Sequence, residues 1–333
     1  MDEHLVTLTR GAFDESRHRG HVAIWHYSSG LLAAWGEPHA IILPRSSCKM
    51  IQALPLVESG AAERAGLTVE HLALACASHS AEPVHIDLVT RWLSDLGFAE
   101  HDLRCGAQFP EAKETRETLI RSGCAADQRH NNCSGKHTGF LTLARDLGAD
   151  LEYLALENPV QLAVRDAFEA LTDMASPGYA IDGCSAPNFA TSVAGLARAM
   201  AQFAAAQPGA YGREGAMAAL YSAMVAHPNL VAGETRACTR IMRDCHGRAA
   251  VKTGAEGVFV AIVPRKGIGI AVKSSDGAAR GSEAVIAQLL INLGALPEAA
   301  PSAQHYTQGP ITNRRGMNVG AIRVNGSIRD WRL

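Results

Sequence analysis

Apolar residues recur in two rhythms along this 333-residue chain. Near the N-terminus they form short β-rich runs: Leu5 to Thr9, Val22 to Tyr27 and Leu31 to Trp35, with Ser28-Ser29-Gly30 as the turn between the last two. From Ser46 to Val57 the rhythm changes. Lys49, Met50, Leu54 and Val57 fall near helical spacing, which predicts a helix starting at Ser46. The middle is helical. Asn158-Pro159 reads as a cap and first-turn proline ahead of Val160, Val164, Phe168 and Leu171. Val193, Leu196, Met200 and Phe203 form a second stripe, and Met217, Leu220 and Met224 a third; all three read as core packing. Strands return at Gly257 to Val263 and Ile268 to Lys273, around the hairpin signal Pro264-Arg265-Lys266-Gly267. Ser282 is the expected cap of a helix carrying Val285, Leu289 and Leu293, and Val319 to Val324 reads as a final strand.

Strands at both ends around a helical insert predict an α+β fold. The expected layout is one domain over 1–333, with a sheet subregion at roughly 1–45 and 250–333 and a helical subregion at roughly 46–249. No repeat or low-complexity segment interrupts it.

Composition narrows the class. Hydrophobic residues make up 47% and charged residues 19%, as in a globular chain. Thirty-one basic and 33 acidic residues give a net charge of -2, with no basic run, so nucleic acid and anionic membranes are unexpected partners. No apolar run approaches the ~18 residues of a membrane span. The start, Met1-Asp2-Glu3-His4, lacks a secretion signal's pattern, so the eight cysteines are expected as reduced thiols in the cytoplasm.

Candidate chemistry lies in three short motifs in order: Ser46-Ser47-Cys48-Lys49, Ser78-His79-Ser80 and Lys252-Thr253-Gly254. S-x-x-K, then S-x-polar, then K-T-G is the plan of serine acyl-transfer enzymes that use lysine as base. A serine hydroxyl needs a base to become nucleophilic, and a lysine serves only when burial or a nearby cation lowers its pKa. The spacing pairs Ser46 with Lys49 and Ser78 with Lys252. Two ammonium groups so close would each favour the other's neutral form.

Two more segments are dense in polar and small residues, each with one cysteine: Asn131 to Gly139 and Ile181 to Asn188. They read as loops whose Gly135, Gly139 and Gly183 permit tight turns or close approach to a ligand. Cys133 and Cys184, with His137, Asp182 or Lys136, form a donor set for a borderline metal such as zinc, or else two buried free thiols.

Together, Pro44 to Lys49, Ser78 to Pro83, His130 to Gly139, Asp182 to Pro187 and Lys252 to Gly257 resemble the rhizobial-type (class 3) L-asparaginases over almost the whole chain. The H-N-N-C-S-G-K-H and D-G-C-S-A-P strings discriminate most. The resemblance implies a serine β-lactamase/penicillin-binding-like fold, a homodimer, and Zn2+ held by Cys133, Lys136 and Cys184. It implies the Ser46–Lys49 and Ser78–Lys252 pairs as catalytic, and an active-site cysteine at Cys238. The implied reaction converts L-asparagine to L-aspartate and ammonia through a serine acyl-enzyme. Arg45, by its planar fork, suits the substrate's α-carboxylate, and Asp182 its α-ammonium; His137 and Cys238 complete the expected substrate side. Glutamine is one methylene longer, so a glutaminase or another serine–lysine amidohydrolase of this fold is the alternative, followed by a non-hydrolytic zinc or thiol protein.

Overall fold

A computed structural model describes residues 1–333. The N-terminal runs form strands β1 (Glu3–Arg10), β2 (Phe13–His26) and β3 (Gly30–Trp35). The C-terminal part supplies β4 (Ala250–Thr253), β5 (Val258–Val263), β6 (Ile268–Ser274), β7 (Pro310–Thr312) and β8 (Asn318–Val324). They make one eight-stranded antiparallel sheet in the order β7-β8-β1-β2-β6-β5-β4, with β3 on β2. Both ends of the chain therefore build one sheet, the expected α+β plan.

β2 starts nine residues before the expected Val22. Its first three residues, Phe13 to Glu15, are exposed and show no apolar alternation. Backbone pairing to β1 holds it, with Thr7 opposite Arg17; that force leaves no hydrophobic pattern.

Helices cover both faces of the sheet. Val193–Ala205 starts at Ser192, whose side chain accepts from Gly195 N–H, and packs against Gly269 of β6. Ser274, on the opposite side of the same strand, meets Gly281 near the start of the Ala279–Asn292 helix. With both faces covered, β5 and β6 are almost wholly buried. Ser282 is not the cap of that second helix. It lies inside the first turn and donates to Ala279 O, while Ala278 holds the cap position. Asn158 does cap Pro159–Thr172, accepting from Val160 N–H.

The expected continuous helix from Ser46 is broken. Arg45–Cys48 is a 3-10 turn, followed by short helices Lys49–Gln52 and Leu54–Glu58. Pro55 has no N–H and cannot continue the first. The expected loop at Asn131 to Gly139 is also corrected. Cys133 caps a helix over Ser134–Leu147, whose first eleven residues are buried. Its glycines serve helix packing rather than a ligand. A Cβ on Gly135 would lie 2.4 Å from Leu74 O, and one on Gly139 3.3 Å from Leu56 Cδ2. Gly183 has no neighbour within 4 Å of such a Cβ.

Gly135 thus sets how closely the cysteine-bearing helix approaches the Val69–Ala75 helix. Gly135→Ala should gain ~1 kcal/mol of helix propensity but lose more to overpacking, for a net destabilisation of about 1–3 kcal/mol. Urea unfolding measures it; a stabilised variant would show that the two helices can part at no cost.

Candidate active site

Three motif segments meet where the sheet edge faces the helices. β4 brings Lys252-Thr253-Gly254 against the Arg45–Cys48 turn. Gly254 is needed there, since a Cβ would lie 2.6 Å from Pro44 O and 3.1 Å from Ser47 N. Ser78-His79-Ser80 follows the Val69–Ala75 helix and is held by backbone bonds from Ser78 N–H to Val231 O (2.9 Å) and from His79 N–H to Asn132 O (3.1 Å).

Both lysine amines converge on one hydroxyl. Lys49 Nζ lies 3.0 Å and Lys252 Nζ 2.8 Å from Ser78 Oγ. Lys49 also donates to Ala77 O and to Cys133 Sγ (3.0 Å), which uses all three of an ammonium's donors. Lys252 has one further partner, Thr253 O at 2.8 Å. Burial pulls the Lys252 pKa down to about 7, and the neighbouring Lys49 acts in the same direction, while Cys238 opposes. Lys252 is thereby an amine poised to exchange a proton near neutral pH, the property a lysine base requires.

Of the two expected pairs, Ser78–Lys252 is formed. Ser46 Oγ is not among the partners of Lys49; its segment lies one 3-10 turn before Lys49, and the Lys49 amine points to Ser78 instead. The two serines also differ in access. Ser78, Lys49 and Lys252 are 3%, 1% and 0% exposed, whereas Ser46 is half-buried. A surface hollow of about 460 Å³ beside Arg64, Asp95 and Asp146 lies away from all of them.

Arg45 and Asp182 bind each other. Arg45 Nε and Nη2 donate to Asp182 Oδ1 at 2.9 and 2.7 Å. Burial pushes the Asp182 carboxyl up, but the Arg45 bond and the Lys136 and Arg45 charges outweigh it and hold the group below its ordinary value. Arg45 N–H also donates to Asn188 Oδ1 (3.1 Å), linking the Ser46 turn to the Asp182 segment. Cys238 is fully buried and accepts from Thr253 N–H at 3.3 Å, bracing the strand that carries Lys252. His137 is buried away from any opening. Its Nδ1 meets Tyr153 OH at 2.9 Å and its Nε2 has no partner.

Cys133 and Cys184 come together, with Lys136 Nζ 3.2 Å from Cys184 Sγ. The hydrogen bond from Cys133 holds Cys184 well below the usual thiol range despite burial, with the Lys136 charge adding to it. That same bond and burial push Cys133 up to about 12. Burial lowers Lys136, but the charges of Cys184 and Cys133 outweigh it and keep the amine above its ordinary value. No three His, Cys, Asp or Glu side chains gather closely enough to hold a metal. Among the donors considered from sequence, His137 and Asp182 therefore do not join the two cysteines, and only the Lys136 amine stands beside Cys184. Two adjacent sulfurs and an amine fit zinc chemically, provided that the amine gives up its proton.

Backbone strain clusters at the same places. Six non-glycine residues have positive φ. Arg45 (54°), Ala81 (59°), Ser185 (67°) and Glu256 (58°) sit within a few residues of Ser46, Ser78, Cys184 and Lys252. Such conformations persist only where surrounding contacts impose them, and they gather at functional sites. His79, Ser134, Asn132 and Tyr153 belong to this network without having been assigned a role from sequence. His79 stood inside a recognised motif, whereas Tyr153 has no sequence signal.

Among solved structures, the chain is similar to Mglu in its native form, with 14% identity, 83% of this chain and 64% of that chain covered, and a TM-score of 0.47. It is also similar to a putative β-lactamase from Bacteroides dorei DSM 17855, with 11% identity, 77% and 84% covered, and a TM-score of 0.43. The octameric penicillin-binding protein homologue from Pyrococcus abyssi gives 12% identity, 84% and 75% covered, and a TM-score of 0.31. The chain thus spans 64% of the length of the Mglu structure. No curated protein matches it. The family model described as L-asparaginase II matches residues 6–324, and with that span, nearly the whole chain, the protein belongs to the L-asparaginase II family.

Proposed function

We propose that this protein hydrolyses L-asparagine to L-aspartate and ammonia through a serine ester. The observation that carries the reading is the convergence of Lys49 and Lys252 on Ser78 beside the Ser46 turn, in a chain of this family. Ser46 is the acyl acceptor. A substrate must touch its nucleophile, and Ser46 is the accessible hydroxyl, whereas Ser78 is sealed and holds both amines. The Lys49–Ser78–Lys252 set is the proton-transfer machinery. Serine attack on the side-chain amide releases ammonia, and water then cleaves the ester. The substrate's α-carboxylate takes the place of Asp182 at Arg45, and its α-ammonium takes the place of Arg45 at Asp182. The direct contact of both amines with Ser78 favours a second reading, with the ester on Ser78 itself. Glutamine's extra methylene is worth only ~1–3 kcal/mol of discrimination, so glutaminase activity is the competing substrate class. Following the resemblance, we take the working form to be a cytoplasmic homodimer. No helix of the chain is long and apolar enough to cross a membrane.

We further propose that Zn2+ binds Cys133, Cys184 and Lys136. A bound cation would neutralise the sulfurs and supply an electrophilic centre beside the site. Lys49 donates to both Cys133 and Ser78, so it bridges the proposed metal ligands and the proton-transfer set.

Ser46→Ala should lower ammonia release from asparagine by roughly three orders of magnitude or more while the fold persists. Acid-quenched single turnovers followed by peptide mapping should place the aspartyl ester on Ser46. An ester on Ser78, with Ser46→Ala active, would establish the second reading. Release from glutamine alone would replace the substrate.

The purified protein should carry zinc by elemental analysis, and the Cys133→Ala/Cys184→Ala double variant should not. Full occupancy in the double variant would sink the ligand assignment.

The pH dependence follows from Lys252. Protonated, it has no lone pair to accept a proton, so activity should be lost as pH falls through about 7 and should level off above it. A kcat/KM profile should show this limb in the wild type and lose it in Lys252→Met. A wild-type profile that is flat from acid to mildly alkaline pH would remove Lys252 from the machinery.

A further inference from the structure

His79 lies within the Ser78-His79-Ser80 motif, beside the cysteine-bearing helix, and it is 1% exposed. Its Nδ1 accepts from Ala81 N–H at 3.1 Å. A backbone N–H can only donate, so Nδ1 carries no hydrogen and Nε2 does. Nε2–H then donates to Ser134 Oγ at 2.8 Å, and Ser134 passes its own hydrogen to Arg129 O at 2.9 Å. Each donor in this chain has an acceptor. The imidazole stacks on His85 at 4.9 Å and 11°. Burial, with His85 and Lys49 nearby, keeps the ring neutral, as the two bonds require.

The residue that His79 clasps is the strained one. Ala81 has φ 59° and is fully buried, and it follows Ser78 by three positions. An alanine does not hold this conformation unaided. On either side of His79, Ser78 N–H is fixed to Val231 O and Ser80 Oγ to Ala232 O. On its other ring edge, Ser134 directly follows Cys133, which receives the Lys49 amine.

We propose that His79 is a positioning residue. One ring nitrogen locks the strained turn that presents Ser78 to Lys49 and Lys252, and the other ties that turn to the helix beginning at Cys133. The inference rests on the amidohydrolase reading for its rate effect but not for its structural effect.

The two bonds can be separated. In His79→Asn, Oδ1 stands in for Nδ1 and accepts from Ala81 N–H, as in an Asx turn, while the Ser134 bond is lost. In His79→Gln, the amide reaches Ser134 and the Ala81 bond is lost. Hydrogen exchange of the full chain, read on the peptide containing Ala81, should show protection at least about tenfold higher in His79→Asn than in His79→Gln. Ammonia release should show kcat lower in His79→Gln by about tenfold or more, with KM for asparagine little changed, because the Ser78–lysine geometry is used in the transition state. If His79→Gln does not fold, His79→Asn against His79→Ala makes the same comparison, since only the former restores the Ala81 acceptor. Equal exchange and equal kcat in the paired variants, or a shift confined to KM, would overturn the proposal. A wild type that releases no ammonia would instead remove the amidohydrolase reading, and the exchange comparison would still judge His79.

Discussion

Two lysine amines are buried around one serine hydroxyl, and the surrounding structure answers to that constraint. A buried ammonium is costly unless its donors find acceptors. Lys49 finds three: Ala77 O, Ser78 Oγ and Cys133 Sγ. Lys252 finds two, and burial drives it toward the neutral form. The difference follows from their surroundings. Lys49 lies beside the polarised sulfur pair of Cys133 and Cys184, whereas Lys252 comes off a sheet edge, with Cys238 engaged in bracing Thr253 N–H. Two like side chains are thereby given different surroundings, one with three acceptors and one with two.

Placing three distant segments around one hydroxyl requires close backbone approach. Glycines supply it where a Cβ would strike main chain: Gly254 against Pro44 O and Gly135 against Leu74 O. Where the residue is not glycine, strain remains, at Arg45, Ala81, Ser185 and Glu256. Side-chain clasps accompany that strain. Arg45 is held by Asp182 and Asn188, and Ala81 by His79. The sheet, buried on both faces, and the helices packed on it form the rigid frame that such conformations need.

The polar network also joins elements that an apolar core would leave independent. Lys49 links the sulfur pair to Ser78, and His79 links Ser78's turn to the residue after Cys133. Buried networks of this kind are specific because each missing partner leaves an unpaired group in a low-dielectric interior. They therefore fix relative position more than they add to stability.

The amino-acid sequence alone determined the broad plan and singled out the side chains of the candidate site. Terminal strands with a helical middle were legible because β-rich runs and 3.6-residue stripes follow from local burial, and the Asn158 cap and the Pro264 hairpin from local turn chemistry. Ser46, Lys49, Ser78 and Lys252 were legible as residue types at characteristic spacings, and Cys133, Lys136 and Cys184 through the family resemblance. Spacing along the chain, however, does not say where a long side chain points. Only the tertiary structure sent Lys49 to Ser78 and Cys133 rather than to Ser46, paired Arg45 with Asp182, and left His137 facing Tyr153. The same holds for the helix at Ser134–Leu147 and the first residues of β2. The helix buries polar residues and glycines against distant partners, and the strand is held by backbone pairing while its side chains face water. Neither the helix's first turns, Ser134 to Gly139, nor the strand's first residues leave an apolar rhythm, because the forces that form them come from residues far away in sequence.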